Sequence, residues 1–162
     1  MRSFGGFESG VEVGVRRGTN AINICKILSP RFLYLVDPYE PHLENDAELV
    51  NEWYLRAKGE ISKFPNVFTA FIKDRSHVAS LRFVRESIDF VYIDGLHDYK
   101  NIQSDLEDWV PKVKSGGIVA GHDYDNCEVC LAVREYITTH NTAEYVYVTF
   151  EEQAPSFFWV KQ

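Results

Sequence analysis

The chain has 162 residues, 45% of them hydrophobic, with eleven Phe, nine Tyr and three Trp; that suffices for one well-packed domain and leaves no room for two of ordinary size. Seventeen basic residues stand against 24 acidic ones, a formal net charge of −7, so the surface repels phosphate backbones and no nucleic-acid partner is expected. No run of about 18 apolar residues exists to span a membrane, residues 1–6 lack the apolar stretch of a secretory signal, and three cysteines do not make a disulfide framework, so the expectation is a cytoplasmic protein with no membrane partner.

Residues 11–15 read as a strand, and Gly18 follows it. Ala21, Ile24, Cys25 and Leu28 then recur at i, i+3, i+4 and i+7, one face of a helix, with Pro30 just past its end. Residues 32–36 form a second strand, closed by Asp37 and Pro38. A helical pattern runs from Glu44 to about Phe64, with Leu49 and Trp53 about one turn apart. Residues 67–72 give a third strand, 76–85 a helix of weak period, and 88–93 a fourth strand stopped by Asp94 and Gly95. Ile102, Leu106, Trp109 and Val110 mark a helix ended by Pro111. Gly116 and Gly117 turn into a fifth strand at 118–120, and Val129, Val133, Tyr136 and Ile137 describe another helix. Two aromatic strands, 145–150 and 157–160, close the chain around a turn containing Pro155.

Strands alternating with helices imply parallel pairing by right-handed crossovers, with helices on both faces. Continuous apolar runs suit strands buried on both sides. The fold class is therefore α/β: a doubly wound, mostly parallel seven-stranded sheet, with the last two strands as an antiparallel hairpin at one edge. Ligands of such sheets bind outside the carboxyl ends of the strands. Those ends hold residues 14–18, Asp37, 73–77, 94–97 and 121–123.

Gly14 and Gly18 bracket the first strand-to-helix turn, where glycine permits positive φ and close approach to the backbone. Asp37, at the end of the second strand, is placed to accept from both hydroxyls of a ribose; it also suits a turn before Pro38. Glu12 lies inside an apolar strand, and a buried unpaired carboxylate there costs several kcal/mol. A structural partner such as Arg16, an exposed strand end or a ligand amino group would each resolve it. At the ends of the fourth and fifth strands stand Asp94, His97, His122 and Asp123, more titratable groups than turn chemistry requires, and convergent groups of this kind mark sites.

The motif Glu12-x-Gly14-x-x-x-Gly18, followed by Asp37, the run from Phe90 through Asp94-Gly95-Leu96-His97 to Tyr99, and the run from Gly116 through His122-Asp123 to Tyr124 resemble the class I S-adenosylmethionine-dependent methyltransferases. The likeness is greatest to the branch of sugar and small-molecule O-methyltransferases, and it covers residues 11–137. The resemblance implies a Rossmann-like fold and methyl transfer from S-adenosylmethionine to a small-molecule acceptor, with oxygen favoured. It implies one methyltransferase-like domain over residues 1–162 without an amino-terminal cap. Glu12, Gly14, Val15 and Gly18 would lie against the methionine part of the cofactor, Asp37 and Pro38 at the ribose, Asp74, Arg75 and Ser76 near the adenine, and Asp94 beside the cofactor. Asp94, His97, His122 and Asp123 would orient or deprotonate the acceptor. Metal-dependent relatives place a divalent cation at the positions of Asp94 and Asp123; the third ligand is open here, because His122 and Tyr124 stand where such relatives often carry Asp or Asn.

Two other readings remain: a cofactor-binding or partner subunit without catalysis, and a nicotinamide-dependent reductase. The second would want G-x-G-x-x-G, and residues 14–18 lack the middle glycine. Cys127 and Cys130 form a lone C-x-x-C pair without the second ligand pair of a zinc site. Trp53, Trp109 and Trp159 are expected in the core. Exposed aromatics at the sheet edge leave a homodimer open.

Overall fold

The computed structural model describes residues 6–42, 45–150 and 154–162. Its elements in chain order are β1 (Ser9–Val13), α1 (Thr19–Ile27), β2 (Phe32–Val36), α2 (Ala47–Ile61), β3 (Phe68–Ile72), α3 (Ser76–Ser80), β4 (Ile88–Ile93), α4 (Tyr99–Trp109), β5 (Val113–Gly121), α5 (Cys127–His140), β6 (Tyr147–Val148) and β7 (Phe157–Val160). The seven strands make one sheet in the order β3-β2-β1-β4-β5-β7-β6. The first five pair in parallel, while β7 pairs antiparallel with both β5 and β6. Chain order reverses between β1 and β4, which is where this kind of sheet opens a crevice.

Each face of the sheet carries its own core. On one, Ile102, Leu106 and Trp109 of α4 and Val129, Val133 and Tyr136 of α5 pack on Val11, Val91, Val119 and Trp159. On the other, Ala21, Ile24 and Cys25 of α1 and Ala57 and Ile61 of α2 cover Leu33, Leu35 and Phe90. Burial on both sides explains the continuous apolar runs of the central strands. Trp53, Trp109 and Trp159 are all buried. Among the described residues, no helix is long and apolar enough to cross a membrane.

Several elements depart from their expected bounds: β1 lies at Ser9–Val13 rather than 11–15, and β6 is only Tyr147–Val148 where 145–150 was expected. The helix start at Glu44 lies outside the described residues; α2 begins after Asp46, whose carboxylate caps it by accepting from Leu49 N–H at 2.9 Å. Helix α3 stops at Ser80 rather than running to Arg85. Phe83 is drawn into edge-to-face contacts with Tyr34 and Trp109 at 5.0 and 5.2 Å, and Leu81 and Val84 are left exposed, so tertiary packing overrides the weak helical period. Strand β5 starts earlier, at Val113, and takes Gly116 and Gly117 into the strand at a register shift against β4.

Candidate active site at the strand crossover

The turn after β1 is held rigidly before any ligand is considered. Gly14 N–H donates to Val36 O at 2.9 Å, and Gly18 N–H to Val15 O at 2.8 Å. Both glycines have positive φ, 86° and 76°. A Cβ on Gly14 would stand 2.0 Å from the Asp94 carbonyl oxygen, so glycine is needed there to let the ends of β1 and β4 meet. Arg16 and Arg17 lie over the Trp53 ring, 4.8 and 5.3 Å from its centroid.

Asp37 ties this turn to the loop after β2. Its Oδ2 accepts from the N–H groups of Val15 and Arg16 at 3.0 and 2.8 Å, and its Oδ1 from Tyr39 N–H at 2.8 Å. A carboxylate offers about four acceptor positions. Three are filled, which leaves room for one further donor rather than two.

Glu12 is only 1% exposed. Asn20 Nδ2 donates to its Oε1 at 3.1 Å, while Oε2 has no partner among the described residues. Burial pushes this carboxyl well above its ordinary value; Asp94 and Asp37 push the same way, and the Asn20 bond opposes. Arg16 is not the structural partner. A buried acid with one orphaned oxygen, at the base of a turn bounded by two glycines, fits a cationic amino group.

The four strand-end groups converge. His97 Nε2 is buried and lies 3.0 Å from Asp123 Oδ2 and 3.4 Å from Asp94 Oδ1. His122 Nδ1 is 3.1 Å from Asp123 Oδ2 and 3.8 Å from Asp94 Oδ1. Parallel pairing of Ile93 with Gly121 sets the two strand ends side by side. Asn126 Nδ2 donates to His97 O at 3.4 Å and steadies the loop after β4. Asp94 raises the His97 imidazole above its ordinary value, Asp123 adds to this, and burial opposes it.

Ligand atoms of Asp94, His97 and Asp123 all lie within 4.8 Å of one another. Two carboxylates and an imidazole fit a divalent cation, and the nitrogen donor suits a transition metal better than magnesium. The Tyr124 ring packs against Phe157 with centroids 5.4 Å apart.

Beside this cluster opens a cavity of about 540 Å³, lined among others by Gly14, Asp37, Pro38, Arg75, Ser76 and Asp94. That volume is within the usual range of small-molecule sites. Of the remaining residues expected at the cofactor, Glu12, Val15 and Gly18 are not among those that line it, nor is Asp74, which pairs with Arg82. Arg75 pairs with Glu40 at 3.1 Å on the rim. Sequence reasoning missed the lining residues Leu96, Asn101 and Asp105. Asp105 carried a signal: it sits in the apolar stripe of α4 with Ile102, Leu106 and Trp109.

A family model described as a methyltransferase domain matches residues 11–124. An uncharacterized protein of Sinorhizobium fredii is 34% identical over 50 residues, which are 31% of this chain and only 6% of that protein's length. An rRNA methylase from Streptococcus thermophilus superposes with a TM-score of 0.67 at 16% identity, over 95% of this chain and 86% of that one. A candidate methyltransferase from Streptococcus mutans, in complex with SAH, has a TM-score of 0.67 at 10% identity, over 96% and 89%. At such identities these structures share the fold with this chain.

Proposed function

The chain belongs to the methyltransferase domain family, among the class I S-adenosylmethionine-dependent methyltransferases, and from that premise we propose that it methylates an oxygen of a small-molecule acceptor. The observation that carries this reading is the shared wall. Residues expected at the cofactor, Gly14, Asp37, Pro38, Arg75, Ser76 and Asp94, open on one cavity, and Asp94 also belongs to the cluster of titratable side chains.

Bound in this cavity, S-adenosylmethionine would supply an electrophilic methyl group on a positively charged sulfur. Glu12 Oε2, buried and unpartnered, accepts from the ammonium of the amino-acid part. Asp37 has one acceptor position left for a ribose hydroxyl, and the amides it already holds keep the glycine turn in place. The His97 imidazole takes the proton from the acceptor hydroxyl on Nδ1, the ring nitrogen not held between the carboxylates, while Asp94 and Asp123 beside Nε2 stabilise the imidazolium; a positioned base of this kind is worth roughly 10²–10⁴ in rate. His122 orients the Asp123 carboxylate from the other side. Where a divalent cation is part of the site, Asp94, Asp123 and His97 would hold it, and it would orient and polarise the acceptor oxygen.

The net charge of −7 supports a small acceptor over a nucleic acid, although the fold is shared with an rRNA methylase. Isothermal titration with S-adenosylmethionine and S-adenosylhomocysteine tests the reading. Micromolar binding of both is expected, and absence of binding up to high micromolar concentration removes it. A spectral change with reduced nicotinamide dinucleotide would point instead to a reductase.

A further inference from the structure

The Cys127-x-x-Cys130 pair takes no part in the site above. It forms the first turn of α5, with Cys127 exposed and Cys130 half-buried, and both residues line an open groove along that helix with Arg134 and Thr138. Cys25, the remaining cysteine, is buried in the core on the other face of the sheet. The turn is regular. Cys130 N–H donates to Asn126 O at 2.9 Å, and the Asn126 side chain caps the helix by accepting from Glu128 N–H at 2.9 Å. Residues three apart in such a helix have Cα atoms about 5 Å apart, inside the range that a disulfide spans. Their Cβ atoms, about 5–6 Å apart, must close to about 3.8 Å. The first turn can supply that movement most readily, because its leading amides have no partners within the helix.

That turn is tied to the titratable cluster. Asn126, immediately before Cys127, donates from Nδ2 to His97 O at 3.4 Å and from its backbone N–H to Asp123 O at 2.9 Å. Tyr99 N–H, at the start of α4, donates to Glu128 Oε2 at 2.7 Å. We propose that Cys127 and Cys130 are a dithiol–disulfide site whose substrate is a small-molecule disulfide, and that closing the bridge displaces Asn126 and is felt at His97. The Cys127 thiolate attacks one sulfur of the small disulfide; the old S–S bond breaks, and one thiolate leaves and takes up a proton. Cys130 gives up its proton, attacks Cys127 Sγ and expels the second thiolate. Two protein thiols lose two electrons in all, and one small disulfide is reduced to two thiols. Exposure makes Cys127 the point of attack and leaves Cys130 to resolve the mixed disulfide. The exchange is independent of the methyl-transfer reading.

The test is incubation of the purified chain with a large excess of oxidised glutathione, followed by intact mass and peptide mapping. The wild type is expected to lose two of its three thiols without retaining glutathione, the loss confined to the peptide that holds residues 127 and 130 and reversed by dithiothreitol. Cys130→Ser should instead keep one glutathione on Cys127, and Cys127→Ser should form no internal bridge. Retention of glutathione by the wild type, all three thiols left unreacted, or a bridge that includes Cys25 each overturn the proposal. Coupling to the cluster is read separately, from the imidazole NMR signals of His97, assigned by their loss in His97→Ala. They should shift between the reduced and the oxidised wild type and stay in place in Cys127→Ser under the same treatment. A bridge that forms while those signals stay in place overturns the coupling.

Discussion

Gly14 and Asp94 meet just past the carboxyl ends of β1 and β4: a methyl group on Gly14 would stand 2.0 Å from the Asp94 carbonyl oxygen and 2.4 Å from its carbonyl carbon. Both obstacles are backbone, so nothing flexible can give way, and φ is +86° besides. Gly14→Ala should lower stability by about 3 kcal/mol, read from urea midpoints, and weaken S-adenosylmethionine binding in parallel. Gly116 provides the contrast, with φ +80° and open space around it; Gly116→Asn should cost less than about 1 kcal/mol. Equal losses in the two variants would mean that φ alone, and not the contact with Asp94, sets the requirement.

Glu12 should separate binding from folding. Its orphaned oxygen is buried beneath the glycine turn, and the proposed ammonium partner contributes a charge-assisted bond of about 1.5–3 kcal/mol. Glu12→Gln keeps an acceptor for Asn20 and should weaken S-adenosylmethionine binding by roughly 10–100-fold, with the circular dichroism spectrum intact. Affinity within a factor of two of the wild type would make Glu12 a structural residue.

The strand ends were legible in the sequence for a geometric reason. Parallel neighbours of matched register bring their carboxyl ends together, so Asp94 after β4 and Asp123 after β5 had to be adjacent once both runs were recognised as strands. Asp37 was legible as a site residue but not in its detail. Its three backbone amides come from two loops whose meeting no local pattern announces. Asp105 was readable as an acid in an apolar stripe, yet only the crossing of α4 beneath Gly95 gives it a cavity to face. The early end of α3 was not legible, because it depends on Phe83 finding Tyr34 and Trp109 across the fold.

His97 and Asp123 should affect rate more than binding. Asp123 has φ +57°, a conformation Asn tolerates well, so Asp123→Asn removes the charge without straining the loop. His97→Ala and Asp123→Asn should each lower methyl transfer to an identified acceptor by about 10²–10⁴-fold while S-adenosylhomocysteine affinity changes by less than a factor of about three. Unchanged turnover in both would sink the roles assigned to this cluster.

Asp105 should leave a signature in the pH dependence of stability. Burial, the largest influence, pushes its carboxyl up to about 6 from an ordinary 3.8; Ser76 opposes this, and Asp108 on the same helix and Asp98 at its N-cap add to it. Above pH 6 the group is ionised whether the chain is folded or not, and the folded state bears a desolvation cost on the order of 3 kcal/mol. As pH falls from about 6 towards 3.8, the folded state takes up a proton that the unfolded state does not, and this cost disappears. Asp105→Asn is neutral throughout, so it should be more stable than the wild type at pH 8, with the difference shrinking towards zero near pH 4. Urea unfolding of both proteins at pH 8, 6 and 4.5 measures it, and because the rest of the chain is common to both, its own titration cancels in the comparison. A variant less stable than the wild type at pH 8 would show that the folded protein stabilises the ionised carboxylate.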